Sequence, residues 1–228
     1  MPHTARPTRT ARVAALAALA VLAATIAGCG SSDPEPKPSR SAKQRPEAEP
    51  TEACPGLING AAAEALMNVL QASQLLNDAA QAVGVSAMGK TLEEAYHAGP
   101  GPRQFTAPVC RVTGTVGQGK RAGEIRIAAG SPAPGNPEAD GTGVQVMSAD
   151  KERGVSFDCV STRVGSTHAV PLRITAWYQD EYRNSKGDAA LGEDYVVLAH
   201  SAALAMAKAT GCENSGGLPA RAADLPKP

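Results

Sequence analysis

Apolar positions change their rhythm twice along this chain. From Asn59 to Val83, Ala62, Leu66, Val69, Leu70, Leu76, Ala80 and Val83 recur at helical spacing. That stripe predicts one amphipathic helix, with Asn59 placed as its N-cap. A second, short helix is expected from Thr91, where Thr91 and Glu94 stand at capping-box spacing, and it should stop before Gly99-Pro100. The period then drops to two. The runs 109–117, 123–130, 141–148, 154–164 and 170–179 place Ile125 with Ile127, Val144 with Val146, Val155 with Phe157, and Leu172 with Ile174 on one side. Such alternation predicts strands with one buried face. Their spacers (GQGKRA, PAPGNPEAD, ADKERG and GSTHA) are short and polar, which favours antiparallel hairpins over helix-linked parallel strands. From about Ala189 to Thr210 the helical period returns, with Leu191, Tyr195, Leu198, Ala202, Ala205 and Ala209 on one stripe and Gly211 as its stop. The expected class is α+β: an antiparallel sheet of four or five strands, with helices at both ends of the domain packed on one face.

Before this domain the pattern is of another kind. Arg6, Arg9 and Arg12 precede a 15-residue run, Val13 to Ala27, interrupted only by Thr25. A membrane span needs roughly 20 apolar residues, so this run suits the core of a secretory signal better. Ile26-Ala27-Gly28-Cys29 at its end resembles the lipobox of bacterial lipoprotein precursors. The resemblance implies that the Cys29 thiol carries a diacylglyceryl group, and that the chain is cut just before it. Two acyl chains give stable residence where one is marginal, at about 0.8 kcal/mol per buried CH₂. The expected location is the outer face of the cytoplasmic membrane, reached through this anchor.

The stretch from Gly30 to Ala53 contains five prolines and no Val, Ile, Leu, Met, Phe, Trp or Tyr, so nothing in it can build a core. As an extended chain it reaches about 75 Å, and as a flexible coil it averages about 27 Å. The expected organisation is therefore a lipoprotein signal peptide at 1–28, the lipidated Cys29 and a disordered Pro-rich stalk at 29–53, and a single domain at 54–213. A flexible tail follows at 214–228, in which Leu218 and Leu225 are the residues able to dock.

Cysteine usage points to the same compartment. Five cysteines, at 29, 54, 110, 159 and 212, leave an even set once Cys29 is lipidated. Of three pairings we favour Cys54 with Cys110 and Cys159 with Cys212, which close loops of similar size and each tie a helix end to a strand. Each bridge is worth about 4 kcal/mol by the chain-entropy model. No two cysteines stand at C-x-x-C spacing, so no zinc knuckle is expected. The order of elements and cysteines, with CPGL at 54 and CRVTG at 110, looks like small actinobacterial lipoproteins of the domain of unknown function 3558 type. The Ala-, Pro- and Arg-rich composition fits that source, and the resemblance brings no catalytic residue with it.

Charge removes one class of partner. The whole chain is formally neutral, and without the three arginines of the signal it holds 19 basic against 22 acidic residues, with no basic stripe for nucleic acid. The search for chemistry returns little. His97, His168 and His200 are scattered, and convergence with Asp158 or Asp180 is not what their elements favour. H-E-x-x-H and G-x-S-x-G are absent. Ser148-Ala-Asp-Lys151 matches S-x-x-K but falls in an expected turn, without S-D-N or K-T-G. The glycines at 117, 119 and 123 lack phosphate-loop spacing and lead into a strand, so they read as a hairpin. No catalytic residue, metal ligand or cofactor is assigned.

One segment is set apart by its aromatics. Trp177, Tyr178 and Tyr182 are three of only seven, and they flank the polar loop QDEYRNSKGD. Aromatics beside a loop supply rigid contact area for a ligand or partner, although Trp177 or Tyr178 facing the core is the commoner arrangement. The expected function is a non-catalytic binding or interaction module of the cell envelope. The alternatives are a solute-capturing lipoprotein serving a transporter, which a two-lobed cleft would mark, and an enzyme acting on cell-wall or lipid substrates, which convergent acid or His side chains would mark.

Overall fold

Alternation and helical stripes resolve into one sheet and one helical layer in the computed structural model, which describes residues 47–76, 83–98, 105–130, 143–149, 152–181 and 189–227. The strands are β1 (Glu47–Ala48), β2 (Gln74–Leu76), β3 (Phe105–Val116), β4 (Gly119–Gly130), β5 (Gln145–Ala149), β6 (Glu152–Cys159) and β7 (Leu172–Asp180). The helices are α1 (Pro50–Ala53), α2 (Gly60–Leu70), α3 (Val85–His97) and α4 (Ala189–Thr210). All neighbouring strands are antiparallel, in the order β1-β2-β3-β4-β7-β6-β5. The class is α+β as expected, with seven strands in place of four or five. The additions, β1 and β2, are two and three residues long, too short to show a period.

α4 is the spine of the helical layer. Leu198, Ala199, Ala202, Ala203 and Met206 are all fully buried, because α4 lies against β6 and β7 while α2 and α3 pack on it too. Burial is therefore wider than the single expected stripe, and Ala205 and Ala209 are only partly covered. Its alanines let the helix approach the sheet closely, while Leu198 and Met206 each contribute about 1.5–3 kcal/mol of burial. The helix ends where Gly211 was expected to stop it. Gly211 takes φ +68°, its N–H donates to the Lys208 carbonyl, and the Cys212 N–H reaches back to Ala207, the pairing of a Schellman cap.

The first helix is shorter than its periodicity implied. Gln71 adopts the left-handed region (φ 49°, ψ 32°), its N–H bonds to the Asn68 carbonyl, and the chain turns into β2. Leu75 and Leu76 are consequently strand residues paired with Gly114 and Thr113. Asn59 stands at the N-cap position without a side-chain cap bond. α3 begins at Val85, six residues before the expected start. Thr91 is inside it, its hydroxyl donating to the Ala87 carbonyl.

Both expected domain limits move outward. β1 pairs with β2, and Ala53 is buried, so the segment assigned to the stalk joins the fold from Glu47 onward. The tail is not free either. Leu218 and Leu225 are buried and short 3-10 turns at 213–217 and 222–224 shape the segment. Its docking is fixed by the His200 Nε2 group, 2.9 Å from the Pro219 carbonyl.

Two disulfides brace this arrangement. Cys54 joins Cys110 and Cys159 joins Cys212, with Cα separations of 5.8 and 5.0 Å. The first ties the end of α1 to β3, and the second ties the end of β6 to the residue after the α4 cap.

Candidate functional site

Pleating separates the aromatic residues that the sequence sets side by side. Tyr178 faces the helical layer, is 1% exposed, and meets the Tyr195 ring at 5.2 Å. The Tyr195 hydroxyl in turn donates to the Asp180 carboxylate at 3.0 Å. Trp177 lies on the opposite face, over Gly154, where any Cβ would come within 2.6 Å of the indole. Tyr182 falls outside the described residues. Trp177 and Tyr178 therefore form no common surface: Tyr178 is the one that faces the core, the commoner of the two arrangements weighed from the sequence.

The face carrying Trp177 is a ladder of polar and charged groups. Arg126 pairs with Glu152 at 3.0 Å and approaches Glu124 at 3.6 Å. Arg173 donates to Asp158 at 2.9 Å, to Gln145 at 2.7 Å and to the Gly143 carbonyl at 2.6 Å. Thr175 donates to Ser156. Arg173–Asp158 and Thr175–Ser156 join the neighbouring strands β7 and β6, and Arg126–Glu152 reaches from β4 to β6 across β7, so these groups tie the sheet together.

The remaining sequence candidates are dispersed. His97 ends α3 beside Tyr96, and His168 is exposed next to Glu213. His200 is buried, and burial lowers its pKa below the ordinary histidine value, an effect its Pro219 partner opposes. Because a carbonyl only accepts, the neutral ring carries its proton on Nε2 there. Asp158 and Asp180 are taken up by Arg173 and Tyr195. Among the described residues no three His, Cys, Asp or Glu are placed to hold a metal ion. Ser148 is exposed near the end of β5, and Lys151 is not described. Gly117 belongs to the β3–β4 turn, and Gly119 and Gly123 to β4. Cys29 also falls outside the described residues, and among those described no helix is long and apolar enough to cross a membrane.

Sequence reasoning missed a groove. It lies between the first turns of α4, the β5–β6 edge and the docked C-terminal segment, with a volume of about 730 Å³. Val146, Val196, Val197 and Leu225 supply apolar wall, and Arg153 meets Gly192 within it. This size is ordinary for a small-molecule site, which pairs mostly apolar walls with a few placed polar groups. The signal in the sequence was slight: a basic residue inside the expected turn ADKERG, and a glycine early in the expected last helix.

The guanidinium of Arg153 is held by backbone. Nη1 donates to the Ala149 carbonyl at 2.6 Å and to the Glu152 carbonyl at 2.9 Å. Nη2 and Nε lie 3.7 and 3.8 Å from the point where a Cβ on Gly192 would stand. Among the described residues Arg153 forms no salt bridge. With geometry on both surfaces established, comparison with protein families, characterised proteins and solved structures returns no match.

Proposed function

We propose that this protein is a membrane-anchored extracytoplasmic lipoprotein, tethered through Cys29, whose domain is a non-catalytic binding module of the cell envelope. The observation that carries the reading is the pairing of Cys54 with Cys110 and Cys159 with Cys212. Two bridges consume the four domain cysteines, which suits an oxidising compartment, and leave Cys29 as the thiol available to lipid. The lipobox-like Ile26-Ala27-Gly28-Cys29 supplies the chemistry of attachment, and the groove beside α4 supplies a surface on which a bound molecule can be enclosed.

The test is metabolic labelling with an alkyne fatty acid followed by membrane fractionation. Wild-type protein takes up the label and sediments with membranes. Cys29→Ser loses the label and leaves the membrane fraction. A Cys29→Ser protein that remains with the membrane overturns the anchor.

A further inference from the structure

The groove beside α4 carries a more specific assignment. We propose that it binds a long-chain carboxylate, with the head group on Arg153 and the alkyl chain against Val146, Val196, Val197 and Leu225. This deepens the binding-module reading and rests on it. Arginine recognises oxyanions best through two parallel N–H donors in one plane. Here the two backbone carbonyls on Nη1 fix the guanidinium, and its Nε and Nη2 edge remains against Gly192. That edge offers two donors, matched to the two oxygens of a carboxylate. A phosphate monoester brings a third oxygen, for which the Nε and Nη2 edge has no third donor.

Gly192 and the start of α4 complete the head-group end. Gly192 brings no side chain to the fork: a Cβ there would stand 3.7 and 3.8 Å from Nη2 and Nε, at ordinary contact distance. Gly192 also belongs to the first turn of α4, where the helix dipole adds positive potential. Glu193 lines the same groove but is exposed and makes no salt bridge with Arg153. Beyond the fork the apolar part of the wall gives an alkyl chain burial at about 25 cal/mol per Å², and Ser148 and Lys227 line the groove as well.

The experiment uses the full chain carrying Cys29→Ser, so that binding is read apart from lipidation, and titrates it with 11-(dansylamino)undecanoate. Saturable binding at one site per chain is expected, with displacement by palmitate and not by its methyl ester. Arg153→Gln should weaken binding at least tenfold. Gly192→Leu fills the space before the fork with a good helix former, so it should weaken binding as strongly with melting temperature unchanged or raised. Absence of saturable binding, equal displacement by the ester, or unchanged affinity in either folded variant overturns the proposal. Tighter competition by dodecyl phosphate than by dodecanoate overturns the carboxylate assignment. If Arg153→Gln misfolds, Gly192→Leu decides. Failure here leaves the Cys29 anchor standing, and failure of the anchor leaves the groove assignment standing.

Discussion

The two faces of β7 carry different chemistry and are covered differently. On one side Ile174, Ala176 and Tyr178 are closed off by the helical layer. On the other, Arg173, Thr175, Trp177 and Gln179 remain partly open, with Arg173 joined to Asp158 on β6 and Gln145 on β5, and Thr175 to Ser156 on β6. Consecutive residues thus belong to different energetic regimes. Removing a packed side chain leaves a hole that the surroundings cannot fill, whereas removing an open polar one is largely compensated by water. Proximity in sequence says little about shared function when a strand stands between the side chains.

The strongest way to sharpen this contrast is Phe157→Ala. Phe157 lies on the covered side of β6 opposite Ile174 and is fully buried. Its truncation should cost about 3–5 kcal/mol, measured by urea unfolding with both disulfides intact. A cost under about 1 kcal/mol would show that the helical layer does not close that face.

That same covered layer explains what could be foreseen. α4 was legible over its full length, since twenty-two residues give several turns of periodicity and a Schellman glycine marks the end. The long strands were legible because Ile125 and Ile127, or Val155 and Phe157, repeat every second residue under one helical roof. α2 was overextended because Leu76 continues its stripe by coincidence, while the break rests on one left-handed residue, Gln71, whose side chain does not announce it. The groove could not be foreseen at all. It needs Arg153 from a strand, Gly192 from a helix and Leu225 from the tail, brought together only by the fold. For the aromatics, adjacency in the chain became opposition across the sheet, so that Tyr178 faces the core, as the commoner arrangement has it, and Trp177 does not.

An intermediate effect is expected where the tail closes over α4. His200 is neutral in the fold, with its pKa lowered by burial, and the bond to Pro219 requires only the Nε2 proton. The unfolded chain then binds more protons than the folded one between the lowered value and about 6.5, so stability rises with pH across that window. It is fully present above about 6.5 and falls as acid protonates the ring. Melting temperature followed from pH 7.5 to 5 should therefore decrease, and His200→Gln, which keeps an N–H for Pro219, should flatten the part due to this residue. An unchanged pH profile in that variant would remove His200 as the source.

The smallest effect belongs to the open face, and it tests whether that face is open. Arg126 stands between Glu124 and Glu152, which flank Gln179 from either side, and all three charged side chains retain 21–35% exposure. Arg126→Ala removes two attractions and leaves two carboxylates on alternate strands with no cation between them. Water and salt screen both terms, so the loss should be about 0–1 kcal/mol and should shrink further as ionic strength rises from 0.01 to 1 M. A larger loss that ignored salt would mean that these charges are desolvated, and that a partner or another part of the chain covers the Trp177 face in solution. The contrast between the two sides of β7 would then be one of neighbours, with both sides closed.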